Sequence, residues 1–125
     1  MPTDSILALH DAMVETRAMG FAEAKAAQWD LGQKVRALLA ERGVSSVAAE
    51  GFQAPGVVVS FTDDPQVQNG AKFRDAGLQI AAGVPLQVGE GESYRSFRLG
   101  LFGLDKLKDV DGTVARLRRG VEAVL

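Results

Sequence analysis

The stretch 96–103 constrains the fold more than any other part of the sequence. Read as a β-strand, it places Phe97, Leu99 and Leu101 on one face, because successive side chains of a strand point to opposite sides. The other face carries Arg98, the single charge in an otherwise apolar run. We therefore expect a sheet with this strand at its centre and with one face packed on a hydrophobic core.

Arg98 is the first candidate functional residue. A buried or half-buried arginine must be paired or hydrogen-bonded, and its planar guanidinium suits a carboxylate or phosphate that is bound at two points. Gly100, two residues further on the same face, leaves room for a group close to the backbone. The alternative is an ion pair with an Asp or Glu of the same domain, and the strand taken alone favours that alternative.

Helical and strand patterns follow one another along the rest of the chain. The predicted elements are helices over 4–18 and 21–42, strands over 44–48 and 57–61, a helix within 62–77, strands over 78–82 and 94–102, and a C-terminal helix that begins near 105 or 109. The candidate N-caps are Thr3 or Asp4, the pair Asp63 and Asp64 before Pro65, and Asp105 or Asp109.

The order α-α-β-β-α-β-β-α predicts an α+β fold with two layers. In this fold a mainly antiparallel sheet of three or four strands carries helices on one face. The 125 residues fit a single domain that spans 1–125.

Composition excludes several classes of function. The chain has no cysteine and one histidine, which excludes thiolate chemistry and a multi-histidine metal site, so no metal is expected. The net charge of −2 comes without a basic block, so we expect no nucleic-acid partner. No apolar run approaches membrane length and no signal peptide is recognisable, which predicts a cytoplasmic protein that does not bind membranes. The histidine, His10, is expected at the edge of the core or at the surface, and not as a catalyst.

The segment 83–92 is predicted to be a loop, and a loop of this length in a compact domain is often functional. It contains Gly89 and Gly91, but these lack the third glycine and the following helix of a dinucleotide-binding motif. No nucleophile and base can be paired anywhere in the sequence. We therefore predict no catalytic residue in this chain.

Several segments resemble the C-terminal part of class V aminotransferases. These are fold-type I pyridoxal-phosphate enzymes of the alanine–glyoxylate and serine–glyoxylate group. The similar segments, in order, are PTDSILAL at 2–9, the long helix after 21, FRDAGLQI at 73–80, the glycine-containing loop after 82, and FRLGLFG at 97–103. The resemblance extends over essentially the whole chain.

The resemblance implies that Arg98 binds the α-carboxylate of the substrate and that Gly83 lies in a loop near the ligand. It implies that the chain is the small domain of an enzyme that moves an amino group between an amino acid and a 2-oxo acid such as glyoxylate or pyruvate. The pyridoxal-phosphate lysine and the other cofactor-binding residues belong to the family's large domain, so none is expected here. The expected partners are that large domain and a second copy in a homodimer, and the chain alone is expected to be inactive.

One departure from the family occurs at 81–85, where Ala-Ala-Gly-Val-Pro replaces a tighter glycine-rich turn. The second hypothesis is a free-standing α+β module without catalysis. Such a module would bind a small anion or another protein.

Overall fold

The computed structural model describes residues 2–125. Its elements are α1 (Thr3–Met19), α2 (Phe21–Glu41), β1 (Val57–Phe61), α3 (Pro65–Gln68), α4 (Ala71–Asp75), β2 (Ala81–Ala82), β3 (Ser96–Gly100), α5 (Leu104–Leu107) and α6 (Val110–Val124). These helices accompany one antiparallel sheet, so the predicted α+β fold is confirmed. Within residues 2–125, no helix has both the length and the apolar composition needed to cross a membrane.

β3 is the central strand of the sheet. It lies between β1 and β2 and runs antiparallel to both. Its middle residue, Arg98, stands opposite Val59 of β1 on one side and opposite Ala81 of β2 on the other. The predicted position of this strand at the centre of the sheet is therefore confirmed.

The predicted strand over 44–48 is wrong, because this segment forms only an isolated bridge between Ser46 and Ser60. The Val47 N–H still donates to the Val59 carbonyl at 2.9 Å, but no ladder continues from it. The described part of the chain thus has three strands, and the element order predicted from the sequence contains one strand too many.

The predicted strand over 78–82 is also shorter than expected, since only Ala81 and Ala82 pair with β3. The cause is the end of α4, where Gly77 adopts a left-handed conformation with φ of 80°. The Leu78 N–H donates to the Phe73 carbonyl at 2.8 Å, which completes a Schellman motif and keeps Leu78 out of the sheet.

A glycine in a left-handed conformation also divides the helix predicted within 62–77. Asp64 is its N-cap as predicted, and accepts a hydrogen bond from the Gln66 N–H at 2.8 Å. Gly70 then takes up a left-handed conformation and separates α3 from α4. The Asn69 side-chain oxygen supports the new start, because it accepts from the Ala71 N–H at 2.9 Å.

The other predicted caps have mixed outcomes. Asp109 caps α6 and accepts from the Gly112 N–H at 3.0 Å, as predicted. Asp105 instead lies in the first turn of α5, where Gly103 occupies the cap position. At the start of α1 the cap position is held by Pro2, so the prediction of Thr3 or Asp4 at that position is wrong.

The hydrophobic core lies on one face of the sheet. Val58 of β1 and Phe97 of β3 are fully buried there, and the Phe97 ring packs against Phe73 with centroids 5.4 Å apart. The C-terminal half of α2 supplies four further core residues, Leu31, Val35, Leu38 and Leu39, and the remaining members are Val67, Leu99, Leu101 and Val121.

Polar side chains of α2 hydrogen-bond to backbone carbonyls at the end of the sheet. Gln28 donates through Nε2 to the carbonyl oxygens of Pro55 and Leu101, at 3.0 and 3.2 Å. Two turns further along the helix, Arg36 donates to the Ala54 carbonyl at 2.8 Å. Burial lowers the pKa of Arg36, and this carbonyl contact satisfies part of its charge without an acidic partner.

The opposite face of the sheet remains partly open. Val57 and Val59 of β1 are half-buried on this side, and Phe61 is 45% exposed. Arg98 is half-buried beside them, while Phe102 beyond the end of β3 is 64% exposed. This open face, defined by Val57, Val59, Phe61, Arg98, Gly100 and Phe102, is apolar apart from one guanidinium.

A second exposed apolar surface lies on α1 and the start of α2. α1 has no buried residue, although its apolar side chains recur at helical spacing. Leu9 and Met13 are each 61% exposed and Phe21 is 68% exposed, and they line a groove between the two helices. The helix predicted over 4–18 is therefore present, but it adds nothing to the core of the described chain.

Gly32 lies where α2 approaches the backbone of Pro55 closely. A Cβ atom at this position would lie 2.7 Å from the Pro55 carbonyl oxygen. An alanine in a helix interior normally gains about 1 kcal/mol over glycine, but overpacking against backbone costs about 1–3 kcal/mol. We expect Gly32→Ala to lower the free energy of unfolding in urea. The exposed neighbour Gln33→Ala serves as control, and a stabilised Gly32→Ala would contradict the close approach.

Candidate functional site

Arg98 lies at the middle of β3 on the open face. Its Nε–H donates to the carbonyl oxygen of Ala82 at 2.9 Å. Within residues 2–125, neither Nη atom has a hydrogen-bond acceptor. The edge of the guanidinium formed by Nη1 and Nη2 is thus left free, and this is the edge that can hold both oxygens of a carboxylate.

No acidic residue in the described chain pairs with Arg98. Ion pairs in this part of the protein use other cations, namely Lys34 with Asp30 and Asp111, Lys72 with Asp64, Lys106 with Asp105, Arg118 with Glu41 and Glu122, and His10 with Asp11. The alternative in which Arg98 is neutralised by its own domain is therefore not what the structure shows.

The surroundings of Arg98 are apolar. Val59 and Ala81 stand opposite it on the two neighbouring strands. The space beside Gly100, expected to be free for a ligand, is bordered by the ring of Phe102, which lies 3.7 Å from where a Cβ of Gly100 would be. Arg98 is therefore the one charged residue among those that define the open face.

Gly83, predicted to lie near a ligand, follows Ala82 directly and lines a small cavity of about 250 Å³. Arg98 does not line this cavity, so the two residues named from the resemblance do not share one pocket. A Cβ atom on Gly83 would overlap the backbone and the side chain of Ser96. Its most direct role in the structure is therefore to let the chain after β2 lie against β3.

Three side chains around this contact are not among the residues predicted from the sequence. Ser96 is fully buried although it is polar, and its hydroxyl accepts a hydrogen bond from the Tyr94 hydroxyl at 3.1 Å. The Tyr94 ring meets Phe61 edge to face, with centroids 5.8 Å apart. A tyrosine and a serine two residues apart, at the start of an apolar strand, are the signal that could have identified this group.

Glu90 organises the predicted loop over 83–92. Its carboxylate accepts hydrogen bonds from the backbone N–H groups of Leu86, Gln87 and Val88, the latter two at 2.8 Å. The backbone N–H of Val88, and after it that of Gln87, hold the pKa of Glu90 at about 2. Sequence reasoning misses this residue, because a glutamate between two glycines has no distinctive spacing.

The described residues hold no cluster of metal-ligating side chains, and their lysines lie in ion pairs or at the surface. No cluster of three metal-ligating side chains occurs between residues 2 and 125. Lys34 and Lys72 are each held in ion pairs, and Lys25 and Lys108 are exposed on or beside helices. Lys106, which forms an ion pair with Asp105, lines a cavity of about 230 Å³ together with Gln79 and Arg116.

No protein-family model matches the chain, and no curated protein is significantly similar to it.

The pKa of Glu90 provides a test of the loop. A carboxyl whose folded pKa is about 2, below the usual 4.5, stabilises the loop fully above pH 4.5. This stabilisation is lost as the pH falls from 4.5 through 2. We expect the Glu90 carboxyl carbon to titrate near pH 2 in NMR spectra of the folded chain and near 4.5 in urea. A midpoint near 4.5 in both states would show that the three N–H contacts are not formed in solution.

Proposed function

We propose that this chain is the small domain of a pyridoxal-phosphate-dependent aminotransferase and that Arg98 binds the carboxylate of the amino acid and of the 2-oxo acid. The observation that carries the proposal is the free Nη1–Nη2 edge of Arg98, without an acidic partner in residues 2–125, on an otherwise apolar face. The resemblance of FRLGLFG at 97–103 to class V aminotransferases supplies the reaction.

Arg98 acts by binding and orienting the substrate. Two parallel N–H···O bonds fix both the position and the plane of a carboxylate, and so fix the direction of its α-carbon. The apolar neighbours strengthen this interaction once water is excluded from the open face. The resemblance assigns the cofactor lysine to a large domain, so under this proposal the chemistry comes from a large domain that faces Arg98.

The two exposed apolar surfaces support such a partner. The open face carries Phe61 and Phe102, and the α1 surface carries Leu9, Met13 and Phe21, all more than 40% exposed. Apolar surfaces of this kind on a small domain commonly mark interfaces. We propose that the large domain covers the open face and that α1 packs on the large domain or on a second copy of the enzyme.

The second candidate is a module that binds a small anion without catalysis. The same free edge of Arg98 supports it, and this candidate requires no cofactor. The two candidates differ in what accompanies the chain in the cell. An aminotransferase requires an α/β domain with a cofactor lysine, encoded in frame with this segment or as a partner subunit.

Substitution of Arg98 tests the binding role. In the polypeptide that combines both domains, Arg98→Lys should lower kcat/KM for amino acid and 2-oxo acid, because an ammonium cannot make two parallel bonds. Arg98→Ala should cost more, on the order of 1.5–3 kcal/mol of transition-state stabilisation. Binding of pyridoxal phosphate, followed by its absorbance, should be unchanged.

Arg74→Lys on the surface of α4 is the matched control, since it makes the same change of cation at an exposed helix position. Equal loss of activity in Arg74→Lys and Arg98→Lys would remove the special role of Arg98. Unchanged kcat/KM in Arg98→Ala would overturn the proposed function.

The proposal assigns the cofactor lysine to the large domain, and this leads to a separate prediction. We expect the 125-residue chain to transaminate no faster with added pyridoxal phosphate than a control protein of similar lysine content. Addition of the large domain should restore activity and should protect the amides of α1 from hydrogen exchange. Transamination by the chain alone, above the control, would contradict the assignment of the cofactor lysine to the large domain.

A further inference from the structure

The orientation of Arg98 is fixed from the side of β2. Its Nε–H donates to the Ala82 carbonyl at 2.9 Å, and Ala81 pairs with Arg98 in the ladder. β2 is only two residues long, so few ladder bonds hold this carbonyl in place. The Ala82 carbonyl is therefore held near Arg98 in part by contacts of the residues that follow β2.

Gly83 provides the decisive contact. A Cβ on this residue would overlap the Ser96 backbone, which cannot move without displacing β3 itself. Ser96 is held in turn by the hydrogen bond from Tyr94, and the Tyr94 ring is held against Phe61. The absence of a side chain at Gly83 is thus what permits Ala82 to approach β3 closely enough to accept from Arg98.

From these contacts we infer that Gly83 is a positioning residue for Arg98: it brings the Ala82 carbonyl onto Nε, so that the guanidinium presents only its Nη1–Nη2 edge and takes a carboxylate end-on. This inference rests on the proposed carboxylate-binding role of Arg98 and adds the geometry of docking. An arginine with a free Nε can also bind a carboxylate through Nε and one Nη. With Nε engaged, that side-on geometry is closed.

The docking geometry has a consequence for affinity. The Nε–H···O bond restricts rotation of the guanidinium, so less conformational freedom is lost when a carboxylate binds. If the Ala82 carbonyl were displaced, Nε could also donate to the ligand, and the guanidinium could rotate. A substitution at Gly83 should therefore alter ligand binding at Arg98 without any contact between residue 83 and the ligand.

The experiment uses the folded 125-residue chain, labelled with ¹⁵N, and sodium acetate as the probe at constant ionic strength. We expect acetate to shift the Nη–H signals of Arg98 and to leave its Nε–H signal nearly unchanged. In Gly83→Ala, the Arg98 Nε–H should exchange faster with water and the Kd for acetate should rise roughly tenfold. Gly91→Ala is the matched control in the same loop, because no atom lies closer than 4.0 Å to where its Cβ would be.

The outcomes distinguish the binding role of Arg98 from the positioning role of Gly83. If acetate does not bind at Arg98 in the unsubstituted chain, the proposed function falls and the inference falls with it. If acetate binds there but Gly83→Ala and Gly91→Ala behave alike, only the role of Gly83 falls. An Nε–H signal that moves as much as the Nη–H signals would overturn end-on docking.

A measurement on the unsubstituted chain covers the case in which Gly83→Ala does not fold. A scalar coupling across the hydrogen bond, between Arg98 Nε and the Ala82 carbonyl carbon, should be detectable in the free chain and should persist in acetate. Its absence in the free chain, or its loss on addition of acetate, would overturn the inference.

Discussion

The pairing of β3 with both of its neighbours is the constraint on which the rest of the structure depends. Because β3 is central, its alternating side chains are divided between a buried face and an open face, and a shift by one residue would exchange the two. Phe97 and Leu99 are held on the buried side by Val58 and by the C-terminal half of α2. Arg98 is consequently held on the open side, and its position follows from the burial of its neighbours.

The same constraint explains why Arg98 has no partner in its own domain. The helices that supply the core pack on the other side of the sheet, and their acidic residues make ion pairs there or between helices, as Asp111 does with Lys34 and Glu41 does with Arg118. Within residues 2–125, the acceptor that the guanidinium uses is instead a backbone atom, the Ala82 carbonyl oxygen.

Much of this arrangement can be predicted from the sequence, because it depends on local periodicity. The predicted bounds of β1 agree with the five residues observed, and the alternation after residue 96 identifies the buried and the open faces. The caps formed by Asp64 and Asp109 are also predictable, since both act within three residues along the chain.

What cannot be predicted depends on residues far apart in sequence. Gln28 reaches the Leu101 carbonyl across 73 residues, and no pattern in either segment indicates that contact. The approach of Gly83 to Ser96 is of the same kind, since neither segment carries a pattern that indicates this close backbone contact. The strand predicted over 44–48 is wrong for a related reason, since a strand needs a partner edge along its full length.

The open face links ligand binding to the association of domains. In the described chain Arg98 is half-buried, and water can still solvate its Nη atoms at little cost. A partner that covers Phe61 and Phe102 would gain from their burial, but it would also strip this water from an unpaired charge, which costs several kcal/mol. A carboxylate bound to Arg98 removes that penalty. Under the proposed function, substrate should therefore tighten the contact between the domains, and by thermodynamic reciprocity closure of the domains should tighten the binding of substrate by the same factor.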